Sequence, residues 1–245
     1  PENVAFFASC GFYLLAEAPG YVALMENTPI GVSSYCRSLA AARVEGAKIG
    51  GIVMNANPFT LGHRYLVEQA AAQCDWLHVF VVSEDVSFFP YRQRFPLVKA
   101  GLEGIPRTTV HEGSAYMVSR ATFSAYFFKE KGIVGDCFTA IDLLVFRNHI
   151  APALGVTHRF VGTEPFCSTT AKYNADMKHW LAHAPASGAP LTVVELPRCV
   201  SAGVPISASE VRRCLKAGDF PRIRRLVPPT TYELLARDYR DVAAG

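Results

Sequence analysis

The run Ile49–Met54, made only of apolar residues and glycine, leads into a tight Asn/Pro loop and then a stretch, 61–73, with apolar residues at helical spacing. This passage constrains the fold more than any other. A short, continuous apolar run reads as a strand buried on both faces, as in a parallel sheet. Thr60 stands where the N-cap of the following helix belongs, so Gly62 and His63 fall in its first turn. The unpaired backbone amides of such a turn attract an anion. Gly62 leaves room for a phosphate to approach, and His63 adds a donor that can follow developing charge. Strand, loop and histidine together point to chemistry on a nucleotide.

Further strand-like runs at 77–83, 108–111, 158–162 and 191–196 alternate with helical stretches at 93–102, 123–154 and 171–182. That alternation predicts an α/β fold, a Rossmann-like parallel sheet with helices on both faces. Such sheets bind ligands beyond the carboxyl ends of their strands, so the loops at 55–63, 83–94, 162–174 and 204–212 are the candidate regions. Before residue 49 the pattern differs. Residues 6–15 and 21–26 read as two short strands around a Pro19-Gly20 turn, followed by a helix near 34–43. Two strands are marginal alone, and the sequence begins at Pro1 rather than Met. Residues 1–46 are therefore expected to be the remnant of a preceding domain plus a linker helix, with 47–245 forming the nucleotide-handling domain.

Half of the 245 residues are hydrophobic and 18% are charged, enough for a sizeable core. A net charge of +3 is too small to suggest general nucleic-acid binding, so no nucleic-acid partner is expected. No apolar stretch reaches the length of a membrane span and the N-terminus does not resemble a secretory signal, so neither a membrane nor export is expected. Seven widely spaced cysteines, with no Cys-x-x-Cys pair, read as reduced thiols of a cytoplasmic protein.

A second anion site is predicted at 206–212. Ser207 and Glu210 have capping-box spacing, and Ser209 and Arg212 are available as side-chain donors. An ordinary surface helix has such a cap too; beside the first motif, this one gives a triphosphate its second grip. Gly162, Thr163, Glu164 and Pro165 follow a predicted strand, with Thr169, Tyr173 and Asn174 just beyond. They suit adenine, ribose or phosphate, and a turn with a capped helix explains them nearly as well. Ser83, Glu84 and Asp85 precede Arg92 and Arg94, a set fit for water-mediated Mg²⁺ and phosphate or for a solvated charged loop. Asp142 sits among apolar neighbours and would need a partner if buried. His179 and His183 have i, i+4 spacing without the glutamate of a metalloprotease motif, so a surface helix is expected there. Arg198, Arg212, Arg213, Lys216, Arg222, Arg224 and Arg225 read as a solvated face that could steer an acidic carrier protein.

Several longer strings resemble the [citrate (pro-3S)-lyase] ligase family, also called citrate lyase synthetases, over about residues 6–215. They are 52–66 with its Asn-Pro-Phe-Thr-Leu-Gly-His core, 159–165, Tyr173-Asn174 and 206–212. The Thr-x-Gly-His and Ile-Ser-x-Ser-x-x-Arg forms are shared with a wider nucleotidyltransferase superfamily that includes pantetheine-phosphate and nicotinamide-nucleotide adenylyltransferases. The resemblance implies a HIGH-type nucleotidyltransferase fold preceded by a fragment of an N-terminal acetyltransferase-like domain. It also implies that ATP and acetate give acetyl-adenylate and pyrophosphate. The acetyl group then passes to the thiol of the phosphoribosyl-dephospho-CoA group on the acyl carrier protein of citrate lyase. By motif match, His63 and Thr60 serve the α-phosphate, and Ser207, Ser209 and Arg212 grip the outer phosphates. Asn55, Asn57, Pro58, Phe59, Gly62, Gly162, Thr163, Glu164, Tyr173 and Asn174 complete the nucleotide site. Mg²⁺ bridges phosphate oxygens, and no protein ligand to a metal is assigned. Residues 122–129 depart from the family in lacking a Pro-Ser pair. Three alternatives stay open: a ligase for the malonate decarboxylase carrier, an adenylyltransferase acting on a small phosphate-bearing substrate, and a nucleotide-binding regulatory module without catalysis.

Overall fold

The computed structural model describes residues 3–119, 133–164, 168–201 and 204–240. It begins with a short helix, α1 (Val4–Ser9), a hairpin of β1 (Tyr13–Ala18) and β2 (Val22–Glu26), and helix α2 (Gly31–Ala40). The strand predicted over 6–15 thus starts only at Tyr13. Residues 5–12 are exposed and pair with no strand among the described residues, and their backbone is satisfied locally, as by Phe7 N–H to the Asn3 carbonyl at 3.0 Å.

The predicted alternation yields five strands: β3 (Ile49–Met54), β4 (Trp76–Val81), β5 (Thr108–Glu112), β6 (His158–Gly162) and β7 (Thr192–Leu196). They form one wholly parallel sheet in the order β5-β4-β3-β6-β7. Connections from β3 run outward to β4 and β5, then return across the sheet to β6 and β7. The crevice between β3 and β6 is therefore the topological switch point, where such sheets bind ligands.

Period-two alternation along each strand divides the core between the two faces. On one, Ile52, Met54, Leu77, Val79, Val81 and Phe160 pack on Val67 and Ala70 of α3 (Leu61–Ala71) and Leu97 and Val98 of α4 (Tyr91–Leu102). On the other, Ile49 and Phe80 meet Leu143 of α5 (Ile133–Val145), Phe146 and Ile150 of a π-helical turn (Phe146–Ile150), and Leu154 of α6 (Ala151–Leu154). The long helix predicted over 123–154 is described from Ile133 onward. Its earlier part, including the Pro-Ser departure at 122–129, lies outside the described residues. Helix α7 (Ser168–Lys178) and a second π-helical turn (His179–His183) cover the same face as α5.

Two further clusters attach the ends of the chain. Leu15, Ala16 and Ala18 of the hairpin share a buried cluster with Ala140, Ile141, Leu144 and Val145 of α5. After a small two-stranded ribbon, β8 (Val200–Ser201) and β9 (Val204–Pro205), come α8 (Ala208–Lys216), α9 (Phe220–Ile223) and α10 (Pro229–Asp238). Val211, Leu215, Ile223 and Leu235 close around Phe89, which fixes α8 beside the loops that follow β3 and β4. Among the described residues no helix is long and apolar enough to cross a membrane. Cys10, Cys36, Cys74, Cys199 and Cys214 are free thiols.

Candidate active site

Thr60 caps α3, as its position in the sequence predicts, and His63 completes the cap. Thr60 Oγ1 accepts from the His63 backbone N–H at 3.3 Å, and the Thr60 N–H donates to His63 Nδ1 at 3.0 Å. The histidine thus takes the place of the glutamate in a capping box. Because Nδ1 accepts, the neutral ring carries its proton on Nε2, which is left as a donor. Burial, with a smaller contribution from the charge of Arg198, pushes His63 down to about 4, so the ring is neutral at pH 7. Its face stacks on Phe59, with centroids 5.6 Å apart. Phe59 is fully buried under α4, where a side chain at Gly101 would come within 2.3 Å of its ring.

The two predicted anion sites meet. A Cβ at Gly62 would lie 3.0 Å from the backbone oxygen of Ile206, so glycine lets the first turn of α3 abut the residue before Ser207. Ser207 caps α8 by accepting from the Glu210 N–H at 3.1 Å. Only half of the predicted capping box forms. The Glu210 carboxylate turns to Arg213 and Arg222, at 2.7 and 2.8 Å, and Arg213 holds it below the usual carboxylate range. Arg212 donates to the Asn57 carbonyl and, at 3.0 Å, to Ser209 Oγ, tying α8 to the loop after β3. Ser209, Arg212, Arg213, Lys216 and Phe88 line a cleft of about 310 Å³ there.

The end of β6 joins the same region through a residue that sequence reasoning assigned to a solvated face. Arg198 Nε donates to the Thr163 carbonyl at 2.6 Å, and Arg198 forms an ion pair with Glu164. Its charge also acts on His63. Its position two residues beyond the end of β7 was the signal available in the sequence, since functional residues gather past strand ends. The Gly162 carbonyl accepts from Asn174 Nδ2 at 2.9 Å, and among the described residues beyond its chain neighbours no atom lies within 4 Å of where a Gly162 side chain would begin.

Other candidates have structural employment. Arg94, a candidate phosphate ligand in the sequence, is fully buried. It donates to the carbonyls of Phe89, Asn55, Val82 and Glu84 at 2.7–2.9 Å and to Asn55 Oδ1 at 2.9 Å, stapling the loops after β3 and β4. Asn55 also exchanges hydrogen bonds with Ser87, and Asn57 Oδ1 accepts from the Phe89 N–H at 3.0 Å. Pro58 is buried in the same turn. Asp85 caps α4 through the Tyr91 N–H at 2.7 Å. Tyr173 donates to Asp142 Oδ2 at 2.6 Å, and the Val118 N–H donates to Oδ1. Pro165 lies outside the described residues. His179 and His183 are exposed, and among the described residues no three His, Cys, Asp or Glu side chains gather as a metal site.

The model of the citrate lyase ligase C-terminal domain matches residues 49–235. The [citrate [pro-3S]-lyase] ligase of Escherichia coli strain K12 is 53% identical, with 99% of this chain and 70% of that protein aligned. The enzyme of that name from Klebsiella pneumoniae is 54% identical over 96% and 68%, and that from Haemophilus influenzae 47% identical over 97% and 71%. Among solved structures, Thermotoga maritima TmcAL bound with alpha-thio ATP has a TM-score of 0.49 at 14% identity, covering 78% of this chain and 56% of that one. Pantoate-beta-alanine ligase from Francisella tularensis has a TM-score of 0.48 at 12% identity, covering 84% and 77%. The domain match spans the whole parallel sheet and both capped helices, and the relatives align with nearly every residue: the chain belongs to the citrate lyase ligase family of enzymes.

Proposed function

We propose that this chain activates acetate with ATP and delivers the acetyl group to the prosthetic-group thiol of the citrate lyase acyl carrier protein. The observation that carries this reading is the contact of two capped helix N-termini, α3 and α8, beside a neutral histidine with a free-facing Nε2–H. That arrangement suits a nucleoside triphosphate, and membership of a family named for ligating citrate lyase supports the acceptor.

In the first step an acetate oxygen bonds to the α-phosphorus while the bond to the bridging oxygen breaks. Pyrophosphate leaves with the electron pair. Acetate is a weak nucleophile, so the rate comes from in-line positioning and from neutralising charge on the phosphates. His63 Nε2 donates to an α-phosphate oxygen, Thr60 keeps the ring in the tautomer that allows it, and Arg212 with Ser207 and Ser209 holds the outer phosphates. Gly162, Thr163 and Glu164, braced by Arg198, border the nucleoside. In the second step the carrier's thiol sulfur bonds to the acetyl carbon, AMP leaves, and the thiol proton goes to solvent.

The described residues offer Mg²⁺ no protein cage. In this reading Mg²⁺ would arrive with the triphosphate rather than be held by protein ligands, and it would supply neutralising charge. The free thiols and the acceptor fit a cytoplasmic protein. Residues 1–46 are read as the end of a preceding acetyltransferase-like unit joined to the ligase domain at 47–245, and relatives of which this chain covers about 70% leave length for one.

The test is acetate-dependent ATP–pyrophosphate exchange with Mg²⁺ present. Exchange that needs acetate is expected. ATP binding without exchange at saturating acetate would overturn the reading.

A further inference from the structure

Arg159 lies on β6, three residues before Gly162, on the sheet face opposite α3. It is 3% exposed, and its Nε and Nη1 have no hydrogen-bond partner among the described residues. The same fold satisfies two other buried arginines with carbonyl oxygens. Arg94 is bonded as described above, and Arg147 donates to Gly188, Ala189, Trp180 and Ala184 at 2.8–3.1 Å. Buried charge is ordinarily hydrogen-bonded in this way, so leftover donors on a buried guanidinium call for an acceptor.

The surroundings define what that acceptor is. The guanidinium carbon lies 4.6 Å from the centre of the Phe146 ring, and Asp142 and Tyr173 are close enough to act on its charge. Gly51, beside Arg159 on β3, brings Phe146 and Val156 down onto the sheet, 3.4 and 3.1 Å from where its own side chain would start. A cation beside an aromatic and aliphatic wall matches a small monocarboxylate with a short apolar tail.

We propose that Arg159 is the recognition group for the carboxylate substrate, with Phe146 and Val156 as the wall that limits its tail to about one methyl. The inference rests on the acetate-activating reading above. The strand rise puts Gly162 about 10 Å beyond Arg159, at the switch point. An acid held there approaches the crevice from the face opposite the phosphate-binding helices. In-line displacement needs the nucleophile and the leaving pyrophosphate on opposite sides of the α-phosphorus, and an approach from the opposite face is compatible with that.

The experiment compares the wild-type chain with Arg159→Met and Arg159→Lys. It reads the KM for acetate and for ATP in pyrophosphate exchange, and binding of ¹³C-acetate by NMR with a non-hydrolysable ATP analogue present. Arg159→Met is expected to raise the acetate KM at least tenfold and abolish the acetate NMR response, with the ATP KM changed less than twofold; Arg159→Lys falls between. Phe146→Leu, which keeps the charge and opens the wall, is expected to shift preference from acetate towards propionate, and it carries the test if Arg159→Met does not fold. An unchanged acetate KM, an equal loss for ATP and acetate, or unchanged acid preference in Phe146→Leu would overturn the assignment of Arg159. Absence of acetate-dependent exchange in the wild-type chain would instead remove the functional reading beneath it.

Discussion

At the scale of single residues, His63 combines two duties that are usually separate. Its Nδ1 accepts from the backbone of Thr60, so the side chain that caps the helix also aims Nε2 outward. A donor positioned for developing charge contributes about 3 kcal/mol to a transition state. His63→Ala is therefore expected to slow acetate-dependent exchange by roughly 100- to 1,000-fold while the thermal transition stays cooperative. Full activity in that variant would remove His63 from the chemistry. Arg94 carries a different expectation, because its five acceptors surround the loop from inside. Arg94→Met leaves several buried carbonyls unpaired, at about 1–3 kcal/mol each. A loss of about 3 kcal/mol or more, or roughly 6–12 °C in Tm, should follow. A Tm within 2 °C or so of wild type would contradict the staple.

At the scale of elements, helix starts and buried strands were legible in the sequence because their signals are local. Thr60 and Ser207 cap α3 and α8, and β3 and β6 occupy the predicted spans. The apposition of the two helices was not legible, since it depends on Gly62 meeting the backbone of a residue 144 positions later. Gly62→Ala tests that apposition. Its methyl would sit 3.0 Å from the Ile206 carbonyl, so one helix start must shift by a few tenths of an ångström. Weaker ATP binding, by several-fold in calorimetry, is the expected result, and unchanged affinity would mean that the contact is slack. The apolar residues of the short helix Val4–Ser9 suggest a strand in the sequence, but among the described residues no strand pairs with them and the segment bonds to its own backbone.

At the scale of the whole molecule, acid lability follows from several depressed histidines. Burial lowers His78, with its neighbour His111 adding to the effect, and burial lowers His111; both come down to about 4, as His63 does. His78 Nδ1 and His111 Nε2 face each other at 2.9 Å, a geometry in which two charged rings repel. Unfolded histidines titrate near 6.5, so between that value and 4 the unfolded chain binds more protons than the folded one. Stability is then complete above about pH 6.5 and falls as pH drops towards 4. Thermal unfolding followed from pH 7.5 to 5, above the carboxylate range, should show a declining Tm; a flat profile would contradict the buried neutral rings. The hairpin supplies a second whole-molecule test. Because Leu15, Ala16 and Ala18 bury Ile141 and Leu144 of α5, removing residues 1–46 is expected to expose that cluster and cause aggregation. A soluble, cooperatively folding 47–245 would show instead that the segment is dispensable.

By itself, the sequence determined the parallel α/β sheet, the caps of two helix starts and the motif that places His63 and Arg212 in those helices. Apolar periodicity, caps and turn residues act over a few positions, so they survive without knowledge of the fold. Only the tertiary structure decided where the arginines go. Arg198 reaches Glu164 across 34 residues, Arg94 turns inward to Asn55 across 39, and Arg159 is buried with two donor atoms unpaired among the described residues. A long cationic side chain goes where distant carbonyls and carboxylates gather, and that meeting exists only once the sheet has closed.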